Sequence, residues 1–250
     1  TTIGTSGVVF AHTSKVSIDP KGRVHTCCCA VPGAWHIMGV TQGAGLSLKW
    51  FKDEFCQDYL ARAEKEGCDV YDLINADVSE IPAGSNRLIY LPYLMGERTP
   101  HLDPDCRGVF FGLSAIHTKK HLLRAVMEGV SYSLCDCNEI LKEMGVEVTQ
   151  MMACGGGGKS PVWRQMLATL YHCPVKTVKQ DEGPALGVAI LAGVGCGLYP
   201  DIETACDRIL SEKSHTEPAK ELMAVYDAYH QLYQKLYRSL KEDYKALALL

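Results

Sequence analysis

No C-x-x-C spacing occurs anywhere in the 250 residues, although the chain carries 12 cysteines. Structural zinc sites use such paired spacing, so a zinc-finger or zinc-ribbon reading has nothing to rest on. Cys135 and Cys137 stand two apart on an expected helix and do not share a face. The expectation is small buried hydrophobes kept reduced in a cytoplasmic protein, with the run Cys27-Cys28-Cys29 left unassigned. No apolar run reaches membrane length and no signal-peptide pattern is seen, so neither a membrane nor an export route is expected. Lys and Arg nowhere cluster into a basic face and the formal net charge is −4, which argues against nucleic acid as a partner. The chain also lacks an initiator Met and opens directly on a hairpin-like "TTIGTSGVVFA". A first strand needs neighbours to pair with, and the expectation is a fragment whose N-terminal part lies elsewhere.

What is present is globular in composition, 47% hydrophobic and 22% charged, enough for one large domain or two smaller ones. "TTI" and "VVFA" flank the turn "GTSG", and "HTCCCAV" and "WHIMGV" follow, so an antiparallel meander is expected. Thr41 to Glu66 has helical periodicity closed by Gly67, "VYDLINADVSEI" predicts a shorter helix, and "NRLIYLPYL" predicts a buried strand. After the polar loop "GERTPHLDPDCRG" and "VFFGLS", a long helix is expected from Lys119 to Met144, with Ser114 or Thr118 as its cap. Then come strand "VTQMMACG", a loop "GGGKS", and helix "PVWRQMLATLY" with Pro161 in its first turn. Strand "CPVKTVK", loop "QDEG" and helix "PALGVAILAGVG" follow. The tail from about Glu217 predicts a docking helix with Leu222, Val225, Tyr229, Leu232 and Leu236 on its buried stripe. The whole is an α/β layered domain and not a Rossmann repeat.

The stretch "ACGGGGKS" has the spacing of a P-loop. A P-loop enzyme adds parallel strands after the loop, one ending in the magnesium-linked Asp; here only "PVKTV" follows as a convincing strand, and it does not end in Asp. Four glycines in a row still exceed what a turn needs and bring backbone close to something at a helix N-terminus. "GAGLSLKW" lacks the third glycine of a dinucleotide fingerprint. His101, Asp103 and Asp105 are read as a rigid Asp-rich turn between prolines, with no metal.

Taken in order, "GTSGVVFA", "LPYLMGERTPHLDPDCRGVFFGLS", "HLLRAVMEGVSYSL", "GGGGKSPVWRQMLA" and "EGPALGVAILAGVG" resemble the C-terminal domain of the FGGY family of carbohydrate kinases over essentially the whole chain. The resemblance implies a ribonuclease H-like domain of the actin-like ATPase fold, the second half of a two-domain sugar kinase. Residues 1–214 would be the nucleotide-side domain and 215–250 a helix packed on it, with the N-terminal sugar-binding domain absent from the chain. It implies ATP and Mg2+, with phosphorylation of a sugar hydroxyl, D-xylulose first. Another ketose, a polyol or gluconate, or a non-catalytic nucleotide-binding module, stand as alternatives, and a homodimer is also allowed. By match to the family's motifs, Gly4, Thr5, Ser6 and Gly7 form a phosphate hairpin with Thr5 as the hydroxyl contact. Gly45 and Lys49 line the nucleotide, Gly156, Gly157 and Gly158 form the adenosine loop, and Lys159 lies at the cleft rim. The loop Gly96 to Pro100 is expected to face the interdomain cleft, with no role fixed for Glu97 or Arg98. The family's catalytic base is an Asp just before the hairpin, upstream of Thr1. Asp19, Asp103 and Asp181 are available carboxylates that nothing places as substitutes, so no catalytic residue is expected in this chain.

Overall fold

The computed structural model describes residues 1–180 and 183–250; the expected loop "QDEG" and the carboxylate of Asp181 therefore fall partly or wholly outside the described residues. Strands β1 (Thr2–Ile3), β2 (Gly7–Thr13), β3 (His25–Cys28) and β4 (Trp35–Thr41) make an antiparallel sheet in the order β1-β2-β4-β3. The expected meander is thus corrected: β4 pairs between β2 and β3. Its Ile37 and Val40 are buried, whereas the polar β3 is mostly exposed and suits an edge.

The single helix expected from Thr41 to Glu66 is two, α1 (Gly45–Phe55) and α2 (Gln57–Glu66), broken at the buried Cys56, whose backbone (φ −117°, ψ 42°) is not helical. Gly67 closes α2 at φ +66°, a conformation glycine adopts without penalty. Helix α3 (Val70–Ser79) starts on Asp69, whose carboxylate accepts the Tyr71 N–H at 2.9 Å. The buried strand expected at "NRLIYLPYL" shortens to β5 (Ile89–Leu91), bounded by left-handed Ser85, Asn86 and Arg87 and by Pro92; it pairs with β6 (Val109–Phe111).

Helix α4 (Lys119–Glu143) is the spine. Thr118 caps it reciprocally with His121, which stands where a capping box usually has Glu or Gln. Every residue from Leu123 to Asn138 is buried, because β4, β5, α1, α3 and two later helices pack around it. Close approach needs small residues: a Cβ at Gly129 would sit 2.2 Å from the Tyr90 carbonyl oxygen.

Next come β7 (Met151–Met152), α5 (Gly155–Gly158), α6 (Pro161–Tyr171), β8 (Val175–Val178), α7 (Pro184–Gly195), α8 (Ile202–Ile209), β9 (Glu212–Thr216) and α9 (Lys220–Leu247). β7 and β8 are parallel, and β9 joins β8 antiparallel. The glycine run is one helical turn where a loop was expected. β9, "EKSHT", has no apolar residue to announce a strand. A parallel bridge between Thr2 and Cys154 joins the two larger sheets edge to edge.

The buried face of α9 also differs from the expected stripe. Val225 and Leu232 are exposed, and Tyr226, His230, Tyr233, Leu236, Tyr237 and Tyr244 face inward. Paired hydroxyls accompany most of this face, since a buried O–H needs a partner, although the Tyr244 hydroxyl has none among the described residues. Tyr233 receives the Tyr93 hydroxyl at 2.8 Å, and Tyr237 donates to Asp103 at 2.8 Å while stacking on His101. Asp103 also accepts the Asp105 N–H, so the "HLDPD" turn is tied into this packing. Only Cys56, Cys106, Cys135, Cys137 and Cys173 are buried; Cys27, Cys28, Cys68 and Cys196 are exposed, against the expectation for the set. No helix of the described residues is long and apolar enough to cross a membrane.

Arg124 and Glu128 of α4 form a buried ion pair at 2.7 Å; Gly84 N–H and the Tyr226 hydroxyl also donate to the same Glu128 oxygen. Arg124 reaches the Val78 carbonyl and Tyr226 as well, so the pair clamps α3, α4 and α9. Removing one partner strands the other charge in the interior. Arg124→Met is expected to cost about 3–5 kcal/mol, and Arg124→Met with Glu128→Gln to recover part of it. Urea unfolding of the three proteins checks this; equal loss in single and double variants would contradict it.

Candidate functional site

A cleft of about 440 Å³ opens where the first hairpin, α1, α3 and the α5–α6 junction meet. Its wall holds Gly4, Thr5, Gly45, Lys49, Gly156 and Gly157, together with Lys159. Six of the nine residues expected to bind nucleotide are therefore brought together. The other three are not on the wall. Ser6 is exposed, and its carbonyl closes the turn by accepting the Gly4 N–H at 3.1 Å. Gly7 is buried behind the hairpin, where a Cβ would meet Thr41 and Leu134 side-chain atoms at 2.6 and 2.7 Å. Gly158 is buried against Ala153.

Backbone hydrogen bonds fix the walls. Gly45 N–H donates to the Gly4 carbonyl at 2.8 Å and Leu46 N–H to the Thr5 carbonyl at 3.0 Å, which ties the start of α1 to the hairpin. Gly45 has to be glycine, because a Cβ there would lie 2.4 Å from the Gly4 oxygen. Across the cleft Ile3 N–H donates to the Cys154 carbonyl at 3.1 Å. Gly155 (φ +76°) turns the chain with its Cβ position 2.8 Å from the Ile3 oxygen, and Gly157 packs on the Ile3 side chain. Gly156 is different. A Cβ there would meet nothing within 4 Å, so its bareness serves no packing and leaves room on the cleft side.

Charge at the cleft is mixed. Asp53, one turn along α1, pairs with the Lys49 ammonium and raises its pKa above the usual value. Both groups are solvent-screened, so the pair leaves Lys49 available to an anion at little cost. Ser160 does not behave as a P-loop serine: its hydroxyl donates to the Asn75 side-chain oxygen at 2.7 Å and accepts the Trp163 N–H at 3.1 Å, capping α6. Tyr71, Asp72 and Asn75 of α3 complete the wall. Sequence reasoning missed them because α3 reaches the cleft through a contact 85 positions apart, Asn75 to Ser160, and local periodicity carries no sign of that.

The loop after β5 supports the cleft from behind. Glu97 and Thr99 point into the interior, and Arg98 alone of the three is exposed. Glu97 accepts the Gln42 and Arg98 N–H groups on one oxygen, both at 2.7 Å, and the Thr41 and Ser133 hydroxyls on the other at 2.5 and 3.3 Å. It thereby holds the segment between β4 and α1 that delivers Gly45. Burial raises the Glu97 carboxyl from 4.5 to about 7, partly offset by these hydrogen bonds.

The chain matches the model of the FGGY family of carbohydrate kinases, C-terminal domain, over residues 1–196. It is 35% identical over 245 residues to the xylulose kinase of Bacillus subtilis, covering 98% of this chain and 47% of that protein. It is also 35% identical over 248 residues to the gluconokinase of the same species, covering 99% and 48%. The crystal structure of ligand-bound xylulose kinase from Lactobacillus acidophilus superimposes with a TM-score of 0.86 at 28% identity, over 98% of this chain and 48% of that one. The chain therefore spans about half the length of the relatives it matches, and its fold is that of the C-terminal domain of these kinases.

Two outcomes are expected. Since the folded chain keeps a proton on Glu97 that the unfolded chain has released, this group's contribution to stability is full below pH 4.5 and is lost as pH rises through about 7. Glu97→Gln cannot ionise and should gain on the parent by roughly 3 kcal/mol across that window. Parallel stability profiles from pH 4.5 to 7.5 would contradict it. Gly156→Ala should leave the melting temperature unchanged but weaken nucleotide binding by about tenfold, the effect of roughly 1.4 kcal/mol of crowding. Calorimetric titration with MgADP measures it, and unaltered affinity would place the nucleotide elsewhere.

Proposed function

The chain belongs to the FGGY family of carbohydrate kinases, and on that premise we propose that its cleft holds the adenosine and phosphate groups of MgATP for transfer to a sugar hydroxyl. The observation that carries this reading is the meeting of the Gly4-Thr5 hairpin and the Gly156-Gly157 turn across one cleft. The hairpin directs backbone N–H groups and the Thr5 hydroxyl toward phosphate oxygens, the usual way that a turn forms an anion nest. The glycine turn and the α3 face, with Tyr71 and Asn75, give a flat-walled space for a base and ribose. Mg2+ enters with the nucleotide as its phosphate counter-ion.

The sugar site and the base that takes the hydroxyl proton belong, on this reading, to a second domain outside these 250 residues. Two domains closing on the cleft would exclude water, the competing phosphoryl acceptor. D-Xylulose is the first acceptor, supported by the xylulose kinases among the relatives. The equal identity to a gluconokinase supports gluconate as the second reading.

ADP release by the longer protein with MgATP, measured across D-xylulose, gluconate, D-ribulose, L-ribulose and glycerol, tests the proposal. Preference for D-xylulose, with the 250-residue chain alone silent, is the expected outcome. Preference for gluconate keeps the kinase and replaces the acceptor. Silence with every acceptor, or sugar-dependent turnover by the 250-residue chain alone, overturns the division of labour.

A further inference from the structure

Away from the cleft, on the seam between α4 and α9, Cys135, Glu139 and His230 bring one thiol, one carboxylate and one imidazole within 4.8 Å of each other. Cys135 and Glu139 are four residues apart on α4 and so share a face; His230 projects from α9. The imidazole is oriented on both sides. One ring nitrogen, Nε2, lies 2.8 Å from the Asp136 carboxylate, and the other, Nδ1, lies 3.6 Å from Glu139. Gln234 donates to Asp136 at 2.7 Å and to Glu139 at 2.8 Å, holding both carboxylates in place.

We propose that Cys135, Glu139 and His230 form a binding site for a single zinc-class divalent ion that staples α9 to α4. Three features favour it. The donor set of thiolate, imidazole and carboxylate is that of zinc and disfavours magnesium or calcium. A carboxylate on the far nitrogen of a ligating histidine is the recurrent outer partner of such sites, and Asp136 occupies that place. Two carboxylates beside one imidazole also leave an excess of negative charge: the second Asp136 oxygen is buried with no hydrogen-bond partner.

The imidazole and Glu139 already stand at close to ligand spacing, and the thiol lies within 4.8 Å of both. Two ligands at about 2.1 Å from a tetrahedral ion lie about 3.4 Å apart, close to the Nδ1 to Glu139 separation. Glu139 is half exposed, with 48% side-chain accessibility, so an ion can enter from solvent and keep water as its fourth ligand. Binding would release two protons to solvent, one from the Cys135 thiol and one from His230 Nδ1, which the flanking carboxylates hold in place, with the Nε2 proton retained toward Asp136.

The test is Co2+ titration of the chelator-dialysed protein, in a background where Cys27, Cys28, Cys29, Cys68 and Cys196 are changed to Ser so that the exposed thiols contribute nothing. One equivalent per chain, with a thiolate-to-cobalt charge-transfer band, is expected. Cys135→Ser should abolish the band, and Glu139→Gln should weaken binding at least about tenfold. Zn2+ should raise the melting temperature of the parent more than that of Glu139→Gln. Should Cys135→Ser fail to fold, the half-exposed Glu139 variant still decides. Absence of the band, or a band and affinity unaltered by Glu139→Gln, overturns the site.

Discussion

Five residues at the start of the chain hold the cleft together. The Thr1 carbonyl accepts the Cys154 N–H at 2.8 Å and Ile3 N–H returns a bond to the Cys154 carbonyl, so the segment joins the antiparallel and parallel sheets. One residue further on, the Gly4 and Thr5 carbonyls accept the first two N–H groups of α1. Both donors belong to the group a helix cannot satisfy internally. One extended stretch thus fixes the glycine turn on one side of the cleft and α1 on the other. Side-chain size matters at these contacts: Gly45 and Gly155 stand where a Cβ would press on the Gly4 and Ile3 carbonyl oxygens.

Because the hairpin carbonyls use those helix N–H groups, the start of α1 is a structural joint more than an anion site. On the proposed reading, recognition is left to the hairpin itself, to Gly156 and to the polar face of α3, which line the cleft. Behind them α4 serves as a spine, and its polar residues are as important as its apolar ones. Arg124 and Glu128 clamp α3 and α9, Ser133 reaches Glu97, and Asp136 orients His230. Glu97 in turn secures the backbone leading to Gly45, so the interior polar network ends at the cleft wall. Such networks cost desolvation unless their groups are paired, and the hydroxyls of Tyr226, Tyr233 and Tyr237 on α9 are paired, with Leu236 buried beside them.

Much of this was legible in the sequence where local chemistry dominates. Pro161 marks the start of α6, Gly67 stops α2, and Thr118, one of the two candidate caps, caps α4, each for reasons contained within a few residues. Motif resemblance located the hairpin and the glycine turn, and six of nine expected site residues line one cleft. What was not legible depends on partners distant in the chain. In the order β1-β2-β4-β3 the strand β4, on which α4 packs, sits between β2 and β3, β9 pairs with β8 without any hydrophobic pattern, and Asn75 of α3 lines the cleft while bonded to the distant Ser160. Gly7 and Gly158 carry the same glycine signal as Gly156, yet their bareness is spent on packing; sequence alone does not distinguish the two uses.

The most direct test of the central claim is photolabelling with 8-azido-ATP followed by peptide mapping of the labelled protein. The account predicts label on the stretches 69–75 and 155–163, suppressed by excess MgADP. Specific, ADP-competed label confined to other stretches would contradict the assignment of this cleft to the nucleotide.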